Sequence, residues 1–189
     1  MRRANGSVEI LVAEDSATQA QQLQMLLEEH GFKVVVAPDG GAALARIHER
    51  APTIVLSDVM MPTLTGYDLC KAIKSDERLK HIPVILLTSL ADSSDVIRGL
   101  ECGADNFVRK PYDEKYLLSR IAHLLMNLDL RSSQRMQMAL EVELGGRRHI
   151  ITAERQQILD LLISTYEQAV SVNAALAQRG QPINRAAVQ

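Results

Sequence analysis

The chain has 189 residues, of which 47% are hydrophobic and 23% charged, which excludes a disordered or low-complexity polymer and leaves room for one full domain plus an appendage. Aromatic residues make up 3% and Trp is absent, so the core is aliphatic and a surface of stacked rings for single-stranded nucleic acid or sugar is disfavoured. A formal net charge of -2 argues against a nucleic-acid binder that relies on a strong global basic field.

In chain order, residues 1–7 are basic with no apolar segment behind them, and are expected to be disordered. No stretch has the length of a membrane span, so a cytoplasmic protein without a membrane partner is expected. Residues 8–13 read as a strand, and Ser16 caps a helix from Ala17 to Glu29. Residues 33–37 are a second strand, closed by a turn at Pro38-Asp39-Gly40-Gly41, with a helix from Ala42 to Arg50. Residues 53–57, 83–87 and 106–109 are three more strands, with helical patterns at 66–75, 92–101 and from 113 onward. Strands alternating with helices imply a parallel sheet with helices on both faces, and such sheets gather ligands at the carboxyl ends of their strands. That rule brings Glu14, Asp15, Asp58, Thr88 and Lys110 to one rim. An acid after a strand is often only a helix cap, but the combination of three acids, a hydroxyl and an ammonium is specific.

These residues, with Asp58-Val59-Met60-Met61-Pro62 and Gly66, Thr88-Ser89, and Gly103-Ala104-Asp105-Asn106-Phe107-Val108-Arg109-Lys110-Pro111, resemble the receiver domain of two-component response regulators. The resemblance covers residues 8–128 and implies a flavodoxin-like, doubly wound, five-stranded parallel sheet of order 2-1-3-4-5. It also implies Mg²⁺-dependent transfer of a phosphoryl group to Asp58 from a sensor histidine kinase or phosphotransfer protein. The ion falls to Asp15, Asp58 and the Met60 backbone carbonyl, with Glu14 acting through a water; hard oxygen ligands suit it. Lys110 suits the developing phosphoryl oxygens, and a cis bond is implied before Pro111. Thr88 and Phe107 are the implied switch, passing the signal to the face made by the 92–101 helix, the 106–109 strand and the helix after it. Phe in place of Tyr lacks a hydroxyl to latch either rotamer. Met60 and Leu90, two positions past Asp58 and Thr88, offer no group to orient a hydrolytic water, so a long-lived phosphoryl state is expected.

Gly66 and Gly103 read as turn residues, and Cys70 and Cys102 as plain buried thiols without metal spacing. The five histidines have no ligand spacing, and neither a kinase phosphoacceptor box nor a Gly-rich ATP motif is present, so the chain is read as no classical enzyme.

Beyond residue 128 the sequence reads as an extended helix end and hairpin over 129–151, a helix over 152–178 and a frayed tail over 179–189. In the hairpin, Gly145-Gly146 turns the chain and Glu143 faces Arg148. Thr152 is expected to cap the helix, whose Leu159, Leu162, Tyr166, Ala169, Asn173 and Leu176 form either a coiled-coil seam of a homodimer or a face packed on the receiver. Residues 113–189 hold nine Lys or Arg against eight Asp or Glu, from which no DNA partner is expected. The segment from about 131 to 176 resembles linkers of receiver-containing sensor kinases, so a fragment of a hybrid kinase and a phosphate sink remain alternatives to a self-contained regulator.

Overall fold

The computed structural model describes residues 8–89, 98–99, 101–130, 137–144 and 147–154. Five parallel strands, β1 (Glu9–Ala13), β2 (Lys33–Ala37), β3 (Ile54–Asp58), β4 (Val84–Thr88) and β5 (Asn106–Arg109), form one sheet of order β2-β1-β3-β4-β5. The helices are α1 (Ala17–Glu29), α2 (Gly40–Glu49), α3 (Gly66–Ser75) and α4 (Glu114–Leu130), and residues 98, 99 and 101 are also helical. This is the expected flavodoxin-like α/β fold.

Both faces of the sheet are covered because successive side chains of a strand point to opposite sides and both sets are apolar. Ile10, Val12, Ile54, Leu56, Ile85, Leu87 and Val108 pack with Leu23 and Leu27 of α1 and Leu117, Ile121 and Leu124 of α4. The alternate set, Leu11, Ala13, Val55, Val84, Leu86 and Phe107, packs with Ala43 and Ile47 of α2 and Leu69, Cys70 and Ile73 of α3. Each fully buried aliphatic side chain contributes about 1.5–3 kcal/mol, so the two half-cores carry the stability.

Local signals set where the helices begin. Ser16 accepts from the Gln19 amide, and Asp39 accepts from the Ala42 amide at 2.8 Å. Thr65 accepts from the Asp68 amide at 3.2 Å and donates to its carboxylate at 2.6 Å. Asp39 is thus a cap and not a turn residue, and α2 begins at Gly40, two residues before the expected Ala42.

A buried ion pair locks the edge of the sheet. Lys74 lies 2.6 Å from the fully buried Asp105, donates to the Ile82 carbonyl at 2.7 Å, and Asp105 accepts from the Val84 amide at 2.8 Å.

The appendage contains an antiparallel pair, β6 (Gln137–Leu144) and β7 (Arg147–Glu154), in which Glu143 faces Arg148 as expected. The hairpin is longer than the sequence indicated. Thr152 pairs with Ala139 and Glu154 with Gln137, so Thr152 lies in a strand and caps no helix, because the ladder keeps satisfying its backbone. The expected N-terminal disorder over 1–7, the seam residues Leu159, Leu162, Tyr166, Ala169, Asn173 and Leu176, the tail over 179–189, and Leu90 lie outside the described residues.

Candidate functional site

The strand order reverses at β1, whose neighbours are β2 on one side and β3 on the other, so the crevice of the sheet opens at the carboxyl ends of β1 and β3. Glu14 and Asp15 follow β1 directly, and Asp58 is the last residue of β3. The carboxylates of Glu14, Asp15 and Asp58 lie within 4.8 Å of one another. Glu14 is buried, Asp58 half-buried and Asp15 exposed, so the cluster grades from core to solvent.

Each acid is held differently. Glu14 uses both oxygens: one accepts from the Ser16 amide at 3.2 Å and the other pairs with Lys110 Nζ at 2.8 Å. Asp58 anchors Oδ1 on the Val59 amide at 2.8 Å and presents Oδ2 to Lys110 Nζ at 3.4 Å. Lys110 also donates to Gln19 Oε1 at 2.8 Å. Three carboxylates against one ammonium leave a surplus of negative charge, and their hard oxygen atoms suit a divalent cation such as Mg²⁺. The same charge is felt at Tyr112. Burial first, then the Glu14 and Asp58 carboxylates, push its phenol above the usual tyrosine range.

Lys110 is followed by a cis bond to Pro111, as the resemblance implied. Its amide donates to the carbonyl of Thr88, the fully buried last residue of β4. Phe107 is 7% exposed and belongs to the core on the α2 and α3 side. Its ring edge approaches Gly99 so closely that a β-carbon there would stand 3.2 Å from Phe107 Cδ2. Met60 is 58% exposed at the head of the loop after Asp58.

The sequence placed Glu14, Asp15, Asp58, Thr88 and Lys110 at one rim, and the described structure brings the three acids and Lys110 into direct proximity. It missed Gln19, which reaches Lys110 from the first turn of α1, and Gly99, which accommodates Phe107. Gly66 is corrected from a turn residue to a close-approach residue, since a β-carbon there would lie 2.2 Å from the Asp58 carbonyl oxygen. Gly103 does take the left-handed backbone of a turn, with φ of +78°.

The family model of the response regulator receiver domain matches residues 10–122, which span the sheet except Glu9, and its rim. The chain belongs to the response regulator receiver family. The DNA-binding response regulator MtrA of Mycobacterium tuberculosis is 34% identical over 161 residues, covering 82% of this chain and 69% of MtrA. The signal receiver domain of a signal transduction histidine kinase from Syntrophus aciditrophicus is 40% identical, with a TM-score of 0.62 covering 71% of this chain and 100% of that one. The Vibrio cholerae chemotaxis protein CheY4 is 28% identical, with a TM-score of 0.60 over 62% of this chain and 98% of its own. Membership makes this a receiver of the phosphorelay response regulators.

The relatives overturn one expectation. Absence of a DNA partner was inferred from near-neutral charge, whereas relatives of this receiver are named DNA-binding response regulators. Net charge over 77 residues, 113–189, is an average and does not report a local basic surface. Among the described residues no helix is long and apolar enough to cross a membrane.

Proposed function

We propose that Asp58 accepts a phosphoryl group from a phosphohistidine on a sensor histidine kinase or phosphotransfer protein. The observation that carries this reading is the position of Asp58: it stands in an acid cluster at the crevice of the sheet, with Oδ1 tied to the Val59 amide and Oδ2 turned toward Lys110. The carboxylate oxygen attacks phosphorus while the bond to the donor imidazole breaks, so the chemistry is one of positioning and charge. Asp15, Asp58 and the Met60 carbonyl would hold Mg²⁺, with Glu14 reaching it through a water. The ion supplies the positive charge that lets an anionic phosphoryl group approach an anionic carboxylate.

Lys110 then exchanges the Glu14 carboxylate for a phosphoryl oxygen, a small movement because Asp58 Oδ2 is already 3.4 Å away. Thr88 hydrogen-bonds the new group, and Phe107 follows into the space beside it. The signal leaves through the surface made by residues 98, 99 and 101, β5 and α4. The output we favour for the whole protein is control of transcription, in keeping with the MtrA relatives, whose alignment spans 82% of this chain while the family match covers residues 10–122. Homodimerisation through the segment after Glu154 is the companion proposal, read from its apolar spacing.

The test is labelling with a small acyl phosphate in the presence of Mg²⁺ and again after chelation. Mg²⁺-dependent incorporation that Asp15→Asn suppresses supports the reading; equal incorporation without the ion contradicts it. For the output, enrichment of genomic fragments by the phosphorylated full chain is expected to exceed that of the unphosphorylated chain, and equal, sequence-independent recovery contradicts control through DNA.

A further inference from the structure

The two cysteines do not serve the acidic site, yet the fold brings them together from positions 70 and 102. Cys70, on α3, is fully buried. Cys102 is 7% exposed and lines a cavity of about 400 Å³ with Val59, Met60, Tyr67 and Arg98, so small solutes reach one thiol before the other. Cys70 Sγ lies 3.4 Å from the Cys102 carbonyl oxygen, and Cys102 Sγ lies 3.1 Å from the Gly99 carbonyl oxygen. Cys70 Sγ thus reaches the backbone of Cys102 itself, which sets the two thiol-bearing residues side by side. The neighbouring Cys102 and then burial hold the Cys70 thiol well above its ordinary value, so Cys70 stays protonated. An oxidant entering the cavity therefore meets the Cys102 thiol first, with Cys70 enclosed behind it.

We propose that Cys102 and Cys70 form a peroxide-sensitive dithiol, with Cys102 oxidised first and Cys70 resolving it to an intramolecular disulfide. The Cys102 sulfur attacks one peroxide oxygen, the O–O bond breaks, and the departing hydroxide takes a proton to leave as water, giving a sulfenic acid. The Cys70 sulfur then attacks the Cys102 sulfur, the S–O bond breaks, and hydroxide leaves with the Cys70 proton as a second water. One peroxide is reduced and two thiols are oxidised, with no other reactant required. The bridge ties α3 to the turn at Cys102 that follows helical Gly99, the residue against which the Phe107 ring rests. Oxidation therefore acts on the wall of the Phe107 site and leaves the carboxylates unmodified.

The experiment is treatment of the full chain with hydrogen peroxide, blocking of free thiols under denaturing conditions, and peptide mapping without reductant. Expected is a linked peptide pair containing Cys70 and Cys102, lost on reduction. In Cys70→Ser a sulfenic-acid probe marks Cys102, and in Cys102→Ser it leaves Cys70 unmarked. Both thiols remaining open to alkylation in the native sequence, a link only between two chains, or marking of Cys70 in Cys102→Ser would overturn the proposal. The native chain provides the linked-peptide readout by itself, so the test stands even where a variant fails to fold.

Discussion

Gly66 sits against the backbone of Asp58: a β-carbon at residue 66 would come within 2.2 Å of the Asp58 carbonyl oxygen and 3.0 Å of its carbonyl carbon. The Gly66 amide in turn donates to the Val59 carbonyl at 3.0 Å. The first turn of α3 is thereby pressed onto the end of β3, and the carboxylate at its tip inherits that placement.

Glycine to alanine at a helical position ordinarily stabilises by about 0.5–1 kcal/mol. Gly66→Ala is expected to do the reverse, with a loss of about 1–3 kcal/mol, because the obstacle is backbone and cannot rotate away. Denaturant unfolding measures it, and an unchanged or raised midpoint would show that α3 is free to move off Asp58.

The Lys74–Asp105 pair makes a second prediction. Asp105→Ala removes the partner of a mostly buried ammonium and of the Val84 amide, and a loss of about 3 kcal/mol is expected. Replacing both charges together, Lys74→Met with Asp105→Leu, is expected to cost less than Asp105→Ala alone. A double variant as unstable as the sum of its singles would rule out the ion pair as the source.

Tyr112 gives a prediction in pH. Its phenol ionises above its ordinary value in the fold, so the protonated form is favoured in the native state. The associated stability is complete below the unfolded tyrosine value, near 10, and is lost as pH rises through the higher folded one. An ultraviolet titration of the native protein is expected to show a late-ionising tyrosine that Tyr112→Phe removes. If Tyr112→Phe leaves the late phase in place, the acid cluster does not act on this residue.

How much of this was legible in the sequence follows from what each signal encodes. The doubly buried sheet was readable because β1, β3 and β4 are apolar on both alternating sets, as Ile10-Leu11-Val12 and Ile85-Leu86-Leu87 display. Glu14, Asp15, Asp58 and Lys110 were readable because each ends or follows a strand. Gln19 was not, since its contact with Lys110 exists only after the chain closes over 91 positions, and Gly99 was not, since its approach to the nearby Phe107 ring is set by packing that no local sequence signal encodes. Nor was the Lys74–Asp105 pair, which joins residues 31 positions apart. Thr152 was misread because a hydroxyl before an acid reads as a helix cap, while pairing with Ala139 carries the strand through it.

The exposed Met60 side chain brings no hydrogen-bonding group to the rim, which predicts slow loss of the phosphoryl group. Met60→Asn is expected to hasten hydrolysis by about tenfold, equivalent to about 1.4 kcal/mol of barrier. Phosphate release from labelled protein decides it, and identical rates in parent and variant would show that water is oriented from elsewhere.

The most direct test of the whole account is intact-mass analysis of the native chain and Asp58→Asn after equal exposure to an acyl phosphate and Mg²⁺, with unfolding curves confirming that both are folded. The account predicts one added phosphoryl group on the native chain, localised to Asp58, and none on the variant; the same addition on folded Asp58→Asn would contradict it.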